Sequence, residues 1–448
     1  MKYDVIVVGG GPAGVISAVT TRKYYPDKTI LMIKNVKNGV VPCGIPYMYS
    51  TLKNPEDNAT GNMPLEKNNV EFIVDEVVEI NKDTKEVKTK EGKSFEYDKL
   101  VLAIGGKAIV PPIEGVEKKG VWSIKKDLDY LKKLNEEVQS ATDIVVIGGG
   151  FIGVEFADEL STMSGKKVTL VEFLPEILSN SFDNEFLQKV HDELSKQGVN
   201  IITGQRAMKF NGSESVESVT LSNGSEISCQ LVILGIGASP NSNIAKEAGL
   251  EIGETKAIVV NEYMKSRSDD NIFAVGDCSQ KKDFFTHKRT GVMLASTACA
   301  EARIAGANLF SLKVDRVSKG TIATYSTRVG EICIASAGMT EKTANKENFE
   351  FVTGVAQATD KHPGKLPNTK TTDVKLIFSK ESGVILGGQI SGGESVGEMI
   401  NIIGIAIQKG TTITEFETLQ IATHPKLTAA PTMYPIVSAA QNAISKMK

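Results

Sequence analysis

Residues 5–14 read Val-Ile-Val-Val-Gly-Gly-Gly-Pro-Ala-Gly, and residues 144–153 read Ile-Val-Val-Ile-Gly-Gly-Gly-Phe-Ile-Gly. Each stretch passes from an apolar run rich in β-branched residues, through glycines, into a helix-like segment, 12–23 and 151–163. A continuous apolar run of this length marks a strand covered on both faces. In the pattern Gly-x-Gly-x-x-Gly the first glycine permits a tight turn, and the second lets backbone approach a pyrophosphate. The third lets the helix pack closely on its strand. Gly9, Gly11 and Gly14 fill these places in the first copy; Gly148, Gly150 and Gly153 fill them in the second. Pro12 with Ala13, and Phe151 with Ile152, open the helices, whose unpaired N–H groups and dipole attract phosphate. One such pattern is a weak signal. Two in one chain, each between strand and helix, predict two dinucleotide sites and an α/β fold with two Rossmann-like domains.

The second copy has the acid such a site uses. The strand-like run 168–171 ends at Glu172, 24 residues after Gly148. That spacing suits a carboxylate bonded to an adenosine ribose hydroxyl. Phe173 and Leu174 follow, with no Arg or Lys to meet a 2′-phosphate, so NADH is favoured over NADPH. The first copy lacks its acid: the run 29–33 ends at Lys34 and Asn35.

Around these motifs lie 448 residues, enough for two or three cores. The apolar fraction of 41% and charged fraction of 23% are those of an ordinary globular chain. The net charge of −3 gives no reason to expect nucleic acid or an anionic membrane as partner. No apolar run approaches the roughly 18 residues of a membrane span, and no secretory signal opens the chain, so a cytoplasmic location is expected. The five cysteines are scattered, with no C-x-x-C pair and no zinc-type spacing, so no metal is expected. From about residue 319 the texture changes. Strand-like 321–326 and 332–335, helix-like 340–347, strand-like 373–378 and 384–390, and helix-like 395–408 predict an α+β tail with its own core.

Taken together, these features resemble the flavin-dependent pyridine nucleotide–disulfide oxidoreductases, and within them the subgroup with one active-site cysteine. That subgroup comprises coenzyme A-disulfide reductases, NAD(P)H sulfur or persulfide reductases, and NADH oxidases and peroxidases. The matching segments are GGGPAG at 9–14, VPCGIPY at 41–47, YDKLVLAIGG at 97–106, GGGFIGVEFA at 148–157, GASPN at 237–241 and FAVGDC at 273–278. The resemblance implies FAD on the first motif, with Asp277 on the flavin's ribityl chain. Ala103, Gly105 and Gly237 would edge the cofactors. It implies an FAD domain of 1–112 and 245–318, an inserted NAD domain of 113–244, and a dimer-interface domain of 319–448. A homodimer is expected.

The same resemblance makes Cys43 the redox-active thiol. Two-cysteine relatives carry a second cysteine five residues on; here that residue is Met48, so no intrachain disulfide forms at this spacing. A lone thiol beside a flavin can cycle through a mixed disulfide, persulfide or sulfenic acid. Its reactive form is the thiolate, which positive potential or a helix N-terminus stabilises. The segment after Cys43 reads as helix-like, placing Cys43 at such an N-terminus.

The acceptor is less determined. Peroxidases and oxidases of the subgroup carry a histidine where this chain has Pro12, which disfavours them. The basic pair of coenzyme A-disulfide reductases is matched by Arg22-Lys23, which would meet the coenzyme's phosphates or form a solvated helix face. Their serine and asparagine before the cysteine are replaced by Gly39 and Pro42, and two tyrosines of the partner's tail by His362 and Thr423. In two-cysteine relatives a C-terminal His-Pro from the other subunit acts as acid/base toward the thiol. His424-Pro425 matches it, but the orienting carboxylate five residues on is Ala429. Tyr47 and Tyr434 are candidates to line the substrate channel. The expected activity is NADH-dependent reduction of a small sulfur acceptor, possible ones being coenzyme A disulfide, a persulfide or a polysulfide. NADH oxidase and reductase of a protein partner are the alternatives.

Overall fold

The computed structural model describes residues 1–52 and 54–447. Its first sheet has seven strands. Ile30–Lys34, Lys2–Val8 and Ser94–Leu102 lie side by side in parallel, with Glu71–Val74 outside Ile30–Lys34. Ile272–Ala274 also runs parallel to Ser94–Leu102, and Glu86–Thr89 and Val77–Asn81 extend the sheet antiparallel. Val5, Ile6 and Val7 are wholly buried, as a strand covered on both faces must be. Helix Pro12–Tyr24 packs against helix Ala295–Ala307 on one of those faces.

The second sheet is all parallel, in the order Val121–Ser123, Leu231–Leu234, Asp143–Ile147, Lys167–Val171, Asn200–Ile202. A small antiparallel sheet, Ala207–Asn211, Ser218–Leu221 and Glu226–Ser228, flanks it. The two large sheets are joined by a two-stranded ribbon of Gly106–Ala108 and Ala238–Pro240. In both sheets the motif strand lies between neighbours reached in opposite directions, the switch point where open α/β sheets bind ligands beyond their strand ends.

The C-terminal part is a five-stranded antiparallel sheet in the order Tyr325–Val329, Ile332–Gly338, Ile385–Gly392, Thr371–Ser379, Phe351–Thr359. Helices Val396–Lys409 and Pro435–Met447 pack on it. Two elements here depart from the sequence reading. The strand expected at 321–326 runs from Tyr325 to Val329, and the edge strand Phe351–Thr359 was not expected. Its Gly, Gln and Thr residues blunt the apolar alternation by which a strand is recognised.

The three parts are welded together by burial and by charge. Ile45, Met48 and Tyr49, just after Cys43, share one core with the second sheet's helices and with Val329 and Ile334. Buried Lys375 bonds Asp183 at 2.9 Å, Glu185 at 2.6 Å and Glu341 at 2.7 Å, joining the second α/β unit to the C-terminal sheet. Among the described residues no helix is long and apolar enough to cross a membrane.

Candidate active site

Gly9 has φ +113°, and a Cβ there would strike the Ala103 carbonyl; a Cβ at Gly14 would strike the carbonyl of Gly9. Gly148 and Gly153 repeat the arrangement. By contrast, a Cβ at Gly11 or Gly150 would meet nothing within 4 Å. Those two residues begin helices Pro12–Tyr24 and Phe151–Ser161, and neither helix start is capped by a side chain. Two uncapped helix N-termini beside open backbone suit the pyrophosphates of two dinucleotides. Phe151 stacks on Tyr325 with centroids 5.0 Å apart, while Ile152 is exposed. Gly105 and Gly237 are also left-handed and lie in the connecting ribbon's turns, where Ile109 N–H donates to the Gly237 carbonyl and Asn241 N–H to that of Gly105.

At the second site Glu172 is buried with its carboxylate turned back on the motif. Its Oε2 accepts from Gly149 N–H and its Oε1 from Leu174 N–H at 2.6 Å. Next to it the structure brings in a residue the sequence reading missed. The Arg206 guanidinium stacks on the exposed Phe173 ring, 3.9 Å from its centroid. Nothing along the chain signals this, since the partners meet only through the fold.

At the first site the corresponding place belongs to Lys34, buried at its strand end. Its Nζ donates to Asn62 Oδ1 at 2.6 Å and to the Lys37 carbonyl at 3.2 Å, and it lies 5.3 Å from the Phe72 ring centre. Burial lowers its pKa. A hydrogen-bond donor thus stands where the second site has an acceptor.

Asp277 lies in the turn Gly276–Cys278, beyond the end of strand Ile272–Ala274, with its Oδ2 3.2 Å from Lys126 Nζ. A buried pair braces that turn. Lys281 Nζ is 2.9 Å from Glu301, and Glu301 also accepts from Gly276 N–H at 2.9 Å.

Cys43 is exposed within a single 3-10 turn, Pro42–Gly44, followed by a second, Pro46–Met48. The helix expected after it does not form. Pro46 has no N–H to donate, and its ring obstructs continuation from the turn before. Cys43 therefore has no helix N-terminus to lower its pKa. Instead the segment is pinned by side chains: Asn58 Nδ2 donates to the Val41 carbonyl at 3.1 Å. Glu159 accepts from Thr51 N–H at 3.0 Å and Thr51 Oγ1 at 2.7 Å.

Partial enclosure of the sulfur raises the Cys43 pKa, and the Glu155 charge raises it further; Lys126 opposes both. Glu155, missed in the sequence, extends from helix Phe151–Ser161 and accepts from Thr327 Oγ1 at 2.8 Å. Burial lifts its carboxyl to about 7, outweighing that hydrogen bond. Its signal was a lone carboxylate in the apolar run Ile152–Ala157. Tyr47 is half-buried near Glu155, and burial followed by the acidic neighbours raises its pKa. The fold thus gathers Cys43, Tyr47, Asp277, Lys126 and Glu155 around one locus.

The remaining expected residues lie elsewhere in the chain. His362 Nδ1 donates to the Thr428 carbonyl at 2.9 Å. His424 Nδ1 accepts from Lys426 N–H at 3.2 Å, so its proton sits on Nε2. Thr428 Oγ1, 3.0 Å from the His424 N–H, links the two loops. Tyr434 is buried against a cavity of about 40 Å³ that Asp360, Met399 and Thr428 also line. Neither histidine is among the groups that act on Cys43 within the chain. The Arg22 guanidinium makes four hydrogen bonds to the carbonyls of Pro26, Lys28, Asn68 and Asn69, so it ties the helix end to its loops. Lys23 is exposed beside it.

Residues 3–302 match the family model for pyridine nucleotide-disulphide oxidoreductases, and residues 326–434 match that family's dimerisation domain. An NADH oxidase of Methanocaldococcus jannaschii is 32% identical, covering 99% of each chain. An NAD(P)H coenzyme A polysulfide/persulfide reductase of Pyrococcus horikoshii is 32% identical over 88% of each. The NAD-dependent persulfide reductase from A. fulgidus superposes with a TM-score of 0.91 at 30% identity, over all of this chain and 83% of that one. With its two glycine cradles and its dimerisation domain, the chain belongs to the pyridine nucleotide-disulphide oxidoreductase family and is an FAD-dependent oxidoreductase that uses NAD(P)H.

Proposed function

We propose that the protein reduces a low-molecular-weight sulfur acceptor, such as coenzyme A disulfide, a persulfide or a polysulfide, at the expense of NADH. The observation that carries this reading is Cys43 itself: exposed in its turn, with Met48 where a second cysteine would make an internal disulfide. A thiol so placed forms its disulfide with the substrate.

The Cys43 thiolate attacks one sulfur of the acceptor. A new sulfur–sulfur bond forms, the old one breaks, and the departing thiolate takes a proton. Two electrons, delivered originally as the hydride of NADH, then cleave the mixed disulfide, release the second thiol and restore Cys43. Bound FAD supplies the relay between the hydride and that disulfide. The chain's own residues have the following roles. Gly11 and Gly150 leave room for the pyrophosphates, Glu172 accepts from the NADH ribose, Lys34 donates to the FAD ribose, and Asp277 orients the ribityl chain. Glu155 holds a proton near Cys43. In a homodimer, His424 of the partner subunit presents its Nε2 proton to the leaving sulfur. The names of the Pyrococcus and A. fulgidus relatives support a sulfur acceptor.

A second reading, NADH oxidase, is favoured by the name of the Methanocaldococcus relative. Anaerobic NADH oxidation by wild type and Cys43→Ser, with each sulfur acceptor in turn and oxygen as control, separates the two. The reductase reading expects one sulfur acceptor to turn over at least about tenfold faster than oxygen, roughly 1.4 kcal/mol in barrier, and Cys43→Ser to abolish that turnover. Oxygen consumption that is fastest of all and indifferent to Cys43→Ser would establish the oxidase instead.

A further inference from the structure

Strand Tyr325–Val329 of the C-terminal sheet lies along one face of helix Phe151–Ser161 and grips it at successive points. Tyr325 stacks on Phe151, Thr327 Oγ1 donates to Glu155 Oε1 at 2.8 Å, and Gly330 N–H donates to Asp158 Oδ1 at 2.8 Å. Phe151, Glu155 and Asp158 share that face because they follow the i, i+4, i+7 spacing of a helix. Tyr325 and Thr327 share theirs because alternate strand residues point the same way. Val329, next in that row, is wholly buried in the core that also holds Ile45, Met48 and Tyr49 just after Cys43. The C-terminal part thus reaches the carboxyl near Cys43 through one buried hydroxyl, that of Thr327.

A hydroxyl has one proton to give. Given to Oε1, it makes that oxygen the acceptor, so the acidic proton of neutral Glu155 sits on Oε2, for which the described residues offer no hydrogen bond. We infer that Thr327 is a positioning residue of the active site, supplied by the C-terminal domain, which holds Glu155 with its proton on Oε2 and sets how readily that proton is lost. The inference rests on the proposed reading of Glu155 as the proton holder near Cys43. The groups around Glu155 leave this task to Thr327. Burial and the like charge of Asp158 both favour the protonated carboxyl, and among the described residues acting on Glu155 only Thr327 favours its ionisation. Cys43 and Tyr47 face Glu155 from the turns Pro42–Gly44 and Pro46–Met48, and its charge raises the pKa of both. Lys126 acts on Cys43, and Arg328, beside Thr327 on the strand, is taken up by Glu331 and Glu394.

The thiolate is the form that alkylates, so the test is the rate at which iodoacetamide modifies Cys43 in the FAD-loaded protein at about pH 7.5, relative to about pH 9.5. Peptide mass spectrometry identifies the modified cysteine. Wild type, Thr327→Val, Thr327→Ser, Glu155→Gln and the double variant of Thr327→Val with Glu155→Gln are compared. Valine keeps the shape of threonine and removes the donor; serine keeps the donor. Losing a hydrogen bond to a charged group moves the Glu155 midpoint upward by about one pH unit. Thr327→Val should therefore leave more Glu155 neutral at the lower pH and speed Cys43 alkylation there about twofold, in the direction of Glu155→Gln. Thr327→Ser should stay at the wild-type rate, and in the Glu155→Gln background Thr327→Val should change nothing. A Thr327→Val rate equal to wild type, an equal acceleration in the Glu155→Gln background, or a Thr327→Ser rate no closer to wild type than that of Thr327→Val would overturn the inference and leave Thr327 an anchor of its strand. If Glu155→Gln itself leaves the rate unchanged, the reading of Glu155 falls, and the inference with it.

Discussion

Around Cys43 the balance of charge turns on single side chains. Glu155 ordinarily titrates near 4.5, and in the folded chain at about 7. Between those values the folded protein holds a proton that the unfolded chain has lost. The stability this group contributes is therefore complete below about pH 4.5 and lost as pH rises through 7. Glu155→Gln, which keeps the neutral form, should match wild type in thermal melts at pH 5. At pH 8 it should melt higher by about 2 °C or more; a lower melting point at pH 8 would contradict the assignment. Because ionised Glu155 opposes the thiolate, the same variant should shift the alkylation midpoint of Cys43 to lower pH. If Lys34 donates to the FAD ribose as proposed, Lys34→Met should lower FAD retention, measured by flavin absorbance per chain after gel filtration. Glu172 could be picked out by its spacing from the second glycine motif, Lys34 only as the residue at the place of the missing acid, and Cys43 only through the resemblance of its Val-Pro-Cys-Gly-Ile-Pro-Tyr segment. Arg206, Lys126 and Thr327 could not be picked out, because each reaches its partner across the fold.

At the scale of elements, the glycine turns were readable to within a residue or two: helix-like 12–23 and 151–163 became Pro12–Tyr24 and Phe151–Ser161. Their strands are buried on both faces, so their composition carries the signal without need of periodicity. The segment after Cys43 was misread because its apolar residues suggested a helix, whereas Pro42 and Pro46 break it into two turns whose Ile45, Met48 and Tyr49 pack on the neighbouring domain. Equally invisible was the pair Lys281–Glu301, both about 5% exposed, which holds the Asp277 turn from beneath. Glu301→Ala leaves a buried ammonium without its partner and should cost about 3 kcal/mol or more in denaturant unfolding, with loss of bound FAD. Lys281→Met combined with Glu301→Leu should recover much of that stability; if the single and double variants unfold alike, the brace is not what holds the turn.

For the whole molecule, Lys375, Lys189 and Asp158 cross the boundary between the second α/β unit and the C-terminal sheet and tie those two parts together. Lys189 bonds Asp373, and Asp158 accepts from Gly330 N–H at 2.8 Å. Lys375→Met takes the cation away from buried Asp183 and from the half-buried Glu341. It should destabilise the protein by about 3 kcal/mol, uncoupling the two parts into separate transitions in calorimetry; a single unshifted transition would show that the hub is dispensable. In the proposed reaction such a frame holds two dinucleotides and one thiol at fixed separation, with electrons entering at the second glycine motif and leaving at Cys43. The most direct test of that path is peptide mass spectrometry of the FAD-loaded protein, mixed anaerobically with one equivalent of a disulfide acceptor and then with NADH. The account predicts that Cys43, and no other cysteine, first carries half of the acceptor and then loses it when NADH is added. An acceptor that is consumed while Cys43 stays unmodified, or an adduct that NADH cannot remove, would contradict it.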